Sequence, residues 1–595
     1  MIGFLPASRE EMKESGIDVL DFIFISGSAY VDHPSFDAAV ISRILAAHGY
    51  GVGIIAQPNP KREEDFALLG KPRLGFLISS GNLDSRLRLY TGRRRLRRFD
   101  EYSPGGKTGY LPDNAVITYT RRIKKIFPET PVIIGGVEAS LRRLVHYDYW
   151  DDKLRKSILA ESGADLLIYG MGEKAVLEIA AELYRGIPVD ALTDIRGTAF
   201  KVPSFDYIYD YVKLPSYDEC LGDKKNFALA EKLNFLEQDP IKGKRLAQAN
   251  VDGVVVVNSP ALPLSTEEMD EIYDLPYMRK YHPKYEKQGG VPAIEEVKFS
   301  ITAHRGCFGG CNFCAIHSHE GRIIQKRSDE SILKEAEILT NLPDFKGYIH
   351  DVGGPTANFH RTSCDGQLER GVCKNKSCLT CKNLKAEHGD YIRLLRKIRA
   401  LPKVKKVFIR SGVRYDYLLK AKDGDKFLEE LTKYHISGQL KIAPEHISDN
   451  VLKIMGKSPK KVYLNFIRKF EQANERIEKK QYLVPYFMSS HPGATLKDAI
   501  ELALFLKERN YKIRQVQDFI PTPGTISTAM YYTGINPLTG EEVYVAKSKE
   551  EKAMQRALLQ YWDKQNYSLV KKALIKENRT DLIGNEKNSL IGKKG

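Results

Sequence analysis

Apolar runs of strand length alternate with helix-patterned segments through the first 200 residues of the chain. The run at residues 19–25 is followed by residues 36–45, where apolar positions recur at helical spacing, and then by an apolar run at residues 52–56. Similar runs occupy residues 74–78, 131–136 and 164–170. Because alternating strands and helices form a parallel sheet covered on both faces, we predict that residues 1–200 form a doubly wound α/β domain.

The same alternation returns in the second half of the chain. Helical patterning at residues 329–342 and 496–509 separates runs of strand character. The strand runs lie at residues 297–302, 347–352, 404–410, 438–443, 481–487 and 514–520. We expect a second α/β domain over residues 291–560, in which the polar residues that follow the strands collect at one edge, as in β/α barrels.

The remaining segments lack this alternation. Residues 201–290 are rich in charge, tyrosine and proline, and we interpret them as a connector between the two domains. Residues 360–385 interrupt the second domain with a polar, cysteine-rich insert. Residues 561–595 are predicted to form a basic C-terminal tail.

The composition is that of a globular protein without a membrane span. The chain has 595 residues, of which 42% are hydrophobic, and no window approaches the ~18 consecutive apolar residues that a transmembrane helix needs. The residues after Pro6 are strongly charged, unlike a signal peptide, so we expect a cytoplasmic protein. A net charge of +16 raises the prospect of nucleic acid binding, although a basic run such as residues 93–98 is more often a solvated surface.

Three cysteines with unequal spacing form the most distinctive motif of the sequence. Cys307, Cys311 and Cys314 are spaced C-x3-C-x2-C, and the glycines among them allow a short loop to curl around a bulky group. Three thiolates can hold an iron-sulfur cluster and leave one iron open for chemistry, whereas a structural zinc site takes four ligands in paired spacing. The motif therefore predicts an iron-sulfur cluster.

A second group of cysteines lies in the insert. Its members are Cys364, Cys373, Cys378 and Cys381, spaced C-x8-C-x4-C-x2-C among lysine, arginine and asparagine residues. Clustered thiols in a polar loop are typical of a metal site, so we predict an auxiliary iron-sulfur cluster or a zinc ion, with unligated thiols as the alternative. Cys220 has no partner at metal-binding spacing and is interpreted as an isolated thiol.

The cysteine motif resembles the hallmark of the radical S-adenosylmethionine (radical SAM) superfamily, in which an aromatic residue precedes the third cysteine, as Phe313 does here. The resemblance implies that Cys307, Cys311 and Cys314 bind a 4Fe-4S cluster whose free iron takes S-adenosylmethionine, with Phe313 packing near the adenine. It also implies that the second domain is a partial (β/α)6 barrel.

Further positions match that superfamily by their place after predicted strands. Gly353 and Gly354 follow the second strand, where the superfamily has a glycine-rich motif that meets the methionine amino group. Ser411 follows the third strand, where members often contact the ribose or carboxylate. Glu445 and His446 end the fourth strand and are either polar groups at the barrel mouth or ordinary strand-end caps.

Over most of its length the chain resembles the YgiQ family of radical SAM proteins, whose substrate is unknown. The likeness rests on residues 30–36, 136–143, 353–358, 411–416, 441–446 and 530–534. It implies the cluster and S-adenosylmethionine, with electrons from a donor such as flavodoxin or ferredoxin. The first domain, two of whose predicted strands end in glycines at Gly135-Gly136 and Gly170, resembles the cobalamin-binding domain that precedes the barrel in some radical SAM proteins.

The N-terminal domain departs from cobalamin-binding relatives at one point. Those proteins ligate cobalt through the histidine of a D-x-H-x-x-G motif, whereas the nearest candidate here places Asp32 and His33 side by side with no glycine following. We therefore do not expect cobalamin ligation by His33.

These features predict an enzyme that reductively cleaves S-adenosylmethionine and directs a 5′-deoxyadenosyl radical to a substrate that the sequence does not name. An alternative is an RNA-modifying enzyme similar to methylthiotransferases, although those carry a three-cysteine cluster in their N-terminal domain, where this chain has only Cys220. A second alternative is a non-catalytic iron-sulfur sensor or binding protein. No catalytic residue is assigned from the sequence.

Overall fold

A nine-stranded sheet forms the centre of the N-terminal half in the computed structural model, which describes residues 3–592. Its first five strands are parallel and follow the spatial order 2-1-3-4-5. These strands are Phe22–Ser26, Val52–Ala56, Gly75–Ser79, Val132–Ile134 and Leu166–Ile168. In a sheet of this order, the point where the strand order reverses leaves a ligand-binding crevice at the carboxyl ends of the strands.

Helices cover both faces of this sheet because its strands are apolar on both sides. Phe22 and Phe24 of the first strand belong to one hydrophobic core, whereas Ile23 and Ile25 belong to a core on the opposite face. The helices of the first face are Asp37–Ala47 and Glu173–Tyr184, and those of the second are Ala115–Ile126 and Ile158–Ser162. The predicted doubly wound α/β fold is confirmed.

Much of the segment predicted as a connector belongs to this sheet. The four strands Thr198–Val202, Tyr211–Leu214, Arg245–Asn250 and Gly253–Val257 extend it with mainly antiparallel pairings. Val254 and Val256 enter one core of the domain, and Val255 and Val257 enter the other. The boundary predicted at residue 200 therefore falls inside the sheet, because these valines are needed to complete both cores.

Six strands of the second half form an open, parallel arrangement. They are Ser300–Thr302, Tyr348–Ile349 continued by Asp351–Gly353, Lys406–Val407, Gln439–Glu445, Tyr482–Ser489 and Gln517–Asp518. The pairings recorded between them are all parallel. Each of the six strand runs predicted from the sequence overlaps one of these strands, and the expected partial barrel is confirmed as the fold of this half.

The barrel helices share one large hydrophobic core with the strands. The main helices are Asp329–Thr340, Gly389–Arg399, Lys460–Arg476, Leu496–Glu508, Lys549–Leu559 and Tyr567–Lys576. Val570, Ala573 and Leu574 of the last helix are fully buried in that core. The predicted C-terminal tail is thus folded onto the barrel up to residue 592, and its last residues, 593–595, lie outside the described residues. A helix long and apolar enough to cross a membrane does not occur in residues 3–592.

Buried ion pairs join the two halves. Arg305, which follows the first barrel strand, pairs with Glu173 at the start of an N-terminal helix, and both side chains are less than 10% exposed. Glu335 of the first barrel helix pairs with Arg279 at 2.7 Å and also with Arg327. Removing one member of such a pair would leave an uncompensated buried charge, so these contacts hold the sheet edge against the barrel.

Candidate functional site

The three-cysteine loop lies at the carboxyl end of the first barrel strand. Gly306 and Gly310 have φ angles of +91° and +76°, which residues with a Cβ rarely adopt. A Cβ on Gly306 would also lie 2.5 Å from the carbonyl oxygen of Ile323. These two glycines allow the chain to fold back sharply between Cys307 and Cys314.

Asn312 fixes the tip of this loop to neighbouring elements. Its backbone N–H donates to the carbonyl oxygen of Met455 at 2.9 Å, and its side-chain amide donates to that of Ile454 at 2.8 Å. Its own carbonyl oxygen accepts a hydrogen bond from the N–H of Ser527 at 3.0 Å. The cysteine loop is therefore held in place by the protein itself.

A half-buried arginine that was not singled out from the sequence stabilises negative charge on the cysteines. The Arg414 guanidinium donates to Sγ of Cys311 at 3.3 Å and pairs with Asp416 at 2.6 Å. A Cβ on Gly309 would lie 2.7 Å from this guanidinium, so the glycine makes room for it. The N–H of Gly309 donates to Sγ of Cys307 at 3.4 Å. Both contacts favour the thiolate form that binds metals.

The chemistry of the three thiols fits an iron-sulfur cluster. Burial raises the pKa of Cys307 and Cys314, so a bound metal must displace their protons. Within residues 3–592, no three histidine, cysteine or acidic side chains converge on the position of a single metal ion. A cubane cluster makes a different demand, because each of its three thiolates binds a different iron. The three partly buried thiols of this glycine-rich loop can supply those three thiolates.

Close packing explains the two glycines that follow the second strand. A Cβ on Gly353 would lie 2.4 Å from Oγ of Ser411, and one on Gly354 would lie 2.4 Å from the carbonyl oxygen of His304. The buried Ser411 hydroxyl has no hydrogen-bond partner among the described residues. A buried polar atom without a partner requires an explanation, and a ligand is one. The structure thus brings Gly353, Gly354 and Ser411 together, while their cofactor contacts stay a prediction.

Glu445 has an unusual backbone conformation at the end of the fourth strand. Its φ is +70°, and the strand pairing shifts register between Ile442 and Glu445. Burial raises the pKa of its carboxyl group, which lies close enough to Cys314 to raise the pKa of that thiol as well. His446 instead accepts a hydrogen bond from the N–H of Ser448 at 3.0 Å and caps the strand end. A role of Glu445 at the barrel mouth stays a prediction.

Phe313 lies in the wall of the same site. Its half-buried ring meets the ring of His491 edge-on, with 5.9 Å between the centroids. His491 is fully buried and is hydrogen-bonded through Nε2 to Oγ of Ser527 at 2.7 Å. Packing of Phe313 against an adenine stays a prediction.

A cavity of about 530 Å³ separates the carboxyl edge of the N-terminal sheet from the barrel. Gly135 and Gly136 line it from the sheet, and Gly353 and Gly354 line it from the barrel. Its apolar lining includes Phe24, Ile41, Leu77, Ile133, Ile168 and Val176. The cavity therefore reaches from the crevice of the doubly wound domain to the candidate cofactor position.

Three polar side chains that line this cavity have an atom without a hydrogen-bond partner in the described structure. These atoms are Oδ2 of Asp37, Oε2 of Glu173 and Nδ1 of His304. Burial raises the pKa of Asp37 and lowers that of His304 to about 3, so this histidine is neutral at physiological pH. An unsatisfied buried polar group costs about 1–3 kcal/mol, which a ligand with matching donors would recover.

The remaining candidate residues are not part of the cavity lining. His33 is fully buried, accepts a hydrogen bond from the N–H of Ser35 at 3.1 Å and is not part of the cavity lining. Asp32 pairs with Arg43 in the protein interior. Cys220 is buried in a hydrophobic cluster against which Phe313 also packs. In the second cysteine group, Cys364 and Cys378 are half-buried and Cys373 and Cys381 are exposed.

Comparison with protein families divides the chain into three segments. Residues 4–300 match a family described as Radical SAM N-terminal, and residues 301–506 match the Radical SAM superfamily. Residues 514–594 match a domain of unknown function, DUF3362. The junction at residue 300 coincides with the start of the first barrel strand.

Curated relatives match almost the whole chain. A Clostridium botulinum protein named UPF0313 protein is 57% identical over 593 residues, which cover 99% of this chain and 92% of the relative. A Clostridium perfringens protein of the same name is 53% identical over 592 residues, which cover 99% of this chain and 89% of the relative.

Among solved structures, the chain is similar to OxsB, described as a cobalamin-dependent S-adenosylmethionine radical enzyme with aqua-cobalamin and S-adenosylmethionine bound. The match covers 96% of this chain and 72% of OxsB at 10% sequence identity, with a TM-score of 0.50. At this identity the likeness shows that the two proteins share an overall fold.

Proposed function

Because the chain belongs to the UPF0313 family and carries a radical SAM domain, we propose that it is an enzyme in which Cys307, Cys311 and Cys314 bind the catalytic 4Fe-4S cluster. One observation carries the proposal. The cysteine loop, the Gly353-Gly354 pair and the unpartnered hydroxyl of Ser411 meet at the carboxyl ends of the first three barrel strands. Barrel enzymes place their chemistry at that end.

The bound cluster would supply one electron that breaks the S–C5′ bond of S-adenosylmethionine, giving methionine and a 5′-deoxyadenosyl radical that takes a hydrogen atom from the substrate. The protein contributes position and environment. Arg414 and the N–H of Gly309 stabilise the cysteine sulfurs. Ser411 offers a polar contact, Phe313 offers an aromatic surface, and the N-terminal domain covers the open side of the barrel. A reducing donor such as flavodoxin or ferredoxin completes the cycle.

We propose that the cavity between the two halves holds the substrate. Its volume lies in the usual range for small-molecule sites, and Gly353 and Gly354, which the cofactor is expected to contact, form part of its lining. The unpartnered oxygens of Asp37 and Glu173 favour a ligand that carries hydroxyl, amine or amide donors on an otherwise apolar body. An interior chamber of this size supports a small substrate over a folded RNA.

The alternative of an RNA substrate rests on a different feature. The basic run at residues 93–98 is exposed, and the chain carries a net charge of +16. Cobalamin, which OxsB binds, is not part of the proposal, since no D-x-H-x-x-G motif is present and His33 lies outside the cavity lining.

Deuterium transfer distinguishes a small substrate from RNA. The reconstituted, reduced enzyme is incubated with S-adenosylmethionine and either the small-molecule or the RNA fraction of cells grown in deuterated water, and the mass of 5′-deoxyadenosine is measured. We expect deuterium uptake from the small-molecule fraction. Uptake from the RNA fraction alone would contradict the proposal.

Filling the cavity provides a second arm of this experiment. Ile41→Trp places a large ring in the cavity lining and should abolish deuterium transfer while leaving substrate-independent cleavage of S-adenosylmethionine intact. Ala47→Trp, at an exposed position on the same helix, is the matched control and should transfer deuterium normally. Equal transfer by both variants would show that the substrate binds elsewhere.

A further inference from the structure

A buried arginine for which the proposed function has no role lies beside the second cysteine group. Arg322 is 1% exposed and is one of the largest fully buried side chains of the described chain. Its Nη2 donates to the carbonyl oxygen of Lys376 at 2.8 Å and to that of Phe308 at 3.4 Å. Its Nε and Nη1 have no hydrogen-bond partner among the described residues. A guanidinium does not lose its proton in a protein, so this buried cation needs compensating negative charge.

Two turns of the cysteine insert are hydrogen-bonded to Arg322. Gln367 donates its backbone N–H to the carbonyl oxygen of Cys364 at 3.3 Å and its side-chain amide to that of Arg322, also at 3.3 Å. Lys376 donates its N–H to the carbonyl oxygen of Cys373 at 2.9 Å, and its own carbonyl oxygen accepts from the Arg322 guanidinium. The segments that carry Cys364 and Cys373 thus meet at this arginine.

The other two cysteines approach the same place. Cys378 lies close to the Arg322 guanidinium and packs in one hydrophobic cluster with Cys307. Cys381 is one turn further on, and its N–H donates to the carbonyl oxygen of Cys378 at 3.0 Å. Sγ of Cys381 accepts a hydrogen bond at 3.4 Å from the N–H two residues later, as Sγ of Cys307 does in the first loop. Such bonds orient thiolates toward a metal.

Arg322 also touches the back of the first cysteine loop. It contacts the carbonyl oxygen of Phe308, and a Cβ on Gly310 would lie 3.6 Å from its Nη2 and 3.3 Å from the carbonyl oxygen of Lys376. The two cysteine groups therefore pack against each other with a single guanidinium between them.

We propose that Cys364, Cys373, Cys378 and Cys381 bind a second iron-sulfur cluster, and that Arg322 is a positioning residue between this cluster and the one at Cys307. Four thiolates are the usual ligand set of a cluster that only transfers electrons. Their uneven spacing lacks the paired arrangement of a structural zinc site. An anionic cluster on each side supplies the negative charge that the buried guanidinium lacks in the protein alone.

Metal analysis of the full chain tests this proposal separately from catalysis. Iron, acid-labile sulfide and zinc are measured per chain after anaerobic reconstitution and removal of loosely bound metal. For two cubane clusters we expect about eight iron atoms in the wild-type protein. The Cys378→Ser/Cys381→Ser variant should hold about four, and so should the Cys307→Ser/Cys311→Ser/Cys314→Ser variant, which cannot cleave S-adenosylmethionine.

Cys220→Ser is the matched control, since this buried cysteine belongs to neither group, and it should retain the wild-type iron content. If the wild-type protein holds about four iron atoms per chain and the triple cysteine variant holds none, the protein has no second cluster and the proposal is wrong. One zinc per chain that persists in the triple variant and disappears in the Cys378→Ser/Cys381→Ser variant would also overturn it. Neither result would affect the proposed cleavage of S-adenosylmethionine.

Two substitutions test the role of Arg322, one that removes its positive charge and one that keeps it. Arg322→Gln removes the cation and should lower the iron content to about half, whereas Arg322→Lys should retain most of it. Circular dichroism checks that both variants are folded. In the background of the triple cysteine variant, the reduced cluster of Arg322→Lys should show an altered electron paramagnetic resonance spectrum. Wild-type iron content and spectrum in Arg322→Gln would contradict the assignment.

Discussion

Arg414 lies 103 residues after the cysteine whose sulfur it contacts. The prediction that Cys307, Cys311 and Cys314 are cluster ligands rests on their spacing alone, because a short loop keeps three thiols near one another along the chain. The contact of Arg414 with Cys311 could not be predicted in this way. It exists because the third strand ends beside the first loop and Gly309 leaves room for the guanidinium.

Replacing Arg414 should weaken the site without removing its ligands. Arg414→Ala deletes a charge-assisted contact to Sγ of Cys311 and leaves Asp416 as an uncompensated buried carboxylate. We expect cleavage of S-adenosylmethionine to slow by about tenfold or more, which corresponds to a loss of about 1.4 kcal/mol. Arg410→Ala, at an exposed position on the same strand end, should cleave at the wild-type rate. The two rates of 5′-deoxyadenosine formation are compared at equal iron content, and equal rates would contradict this role.

The lowered pKa of Glu430 should make the free energy of unfolding depend on pH. Burial alone would raise its pKa, but contacts with His435 and Arg396 outweigh this and lower the pKa to about 2. A carboxyl whose pKa is depressed in the folded state contributes stability above its unfolded pKa of about 4.3 and loses it as the pH falls toward the folded value.

The Glu430→Gln variant should therefore unfold more easily than the wild type by about 1–2 kcal/mol at pH 7, and the difference should shrink as the pH falls from about 4.5 to 3. Glu429→Gln, at the neighbouring position where the carboxylate pairs with Arg476 at the surface, is the control and should change stability by less than about 1 kcal/mol. Denaturant titrations at several pH values provide the measurement. A difference that grows on acidification would contradict the assignment.

At the scale of elements, hydrophobic periodicity located the strands but not every boundary. The six barrel strands and the five parallel strands of the first domain were predicted because each is a short apolar run between helical segments. The strands between residues 198 and 257 were missed because no helical pattern separates Arg245–Asn250 from Gly253–Val257. Their place in the sheet depends on antiparallel pairing with a distant strand, which periodicity does not encode.

The turn after the second barrel strand gives a prediction at this scale. In Gly353→Ala the new methyl group would lie 2.4 Å from Oγ of Ser411 and force the two strand ends apart. We expect weaker binding of S-adenosylmethionine with little change in cluster content, measured by equilibrium binding to the reconstituted protein. Gly389→Ala is the control, since a methyl group there meets only two side chains at ordinary contact distance, Arg393 at 3.5 Å and Asp423 at 3.8 Å. Wild-type affinity in Gly353→Ala would remove this segment from the cofactor site.

At the scale of the whole molecule, the N-terminal sheet and the barrel form one unit around the interior cavity. The sequence predicted two domains, and Gly135 and Gly136 end one of the apolar runs of the first domain. It could not predict that these glycines face Gly353 and Gly354 across a shared cavity, because that depends on docking the two halves. The ion pairs at Glu173 and Glu335 are likewise visible only once the halves are placed together.

Loss of one of these ion pairs should destabilise the contact between the N-terminal half and the barrel. Glu335→Gln leaves Arg279 and Arg327 buried without a carboxylate and should lower the free energy of unfolding by about 3 kcal/mol. Glu550→Gln breaks an exposed pair with Lys572 and should cost less than about 1 kcal/mol. Denaturant unfolding of both variants provides the comparison, and equal stability of the two would show that Glu335 does not hold the halves together.

The central claim is that the Cys307 loop holds a cluster that cleaves S-adenosylmethionine. The most direct test is the amount of 5′-deoxyadenosine formed per chain by the anaerobically reconstituted protein with dithionite and S-adenosylmethionine. The account predicts that the wild type and Cys220→Ala form it, whereas Cys307→Ala forms none. A wild-type protein that carries an intact cluster and forms no 5′-deoxyadenosine, as a non-catalytic iron-sulfur sensor would, contradicts the account.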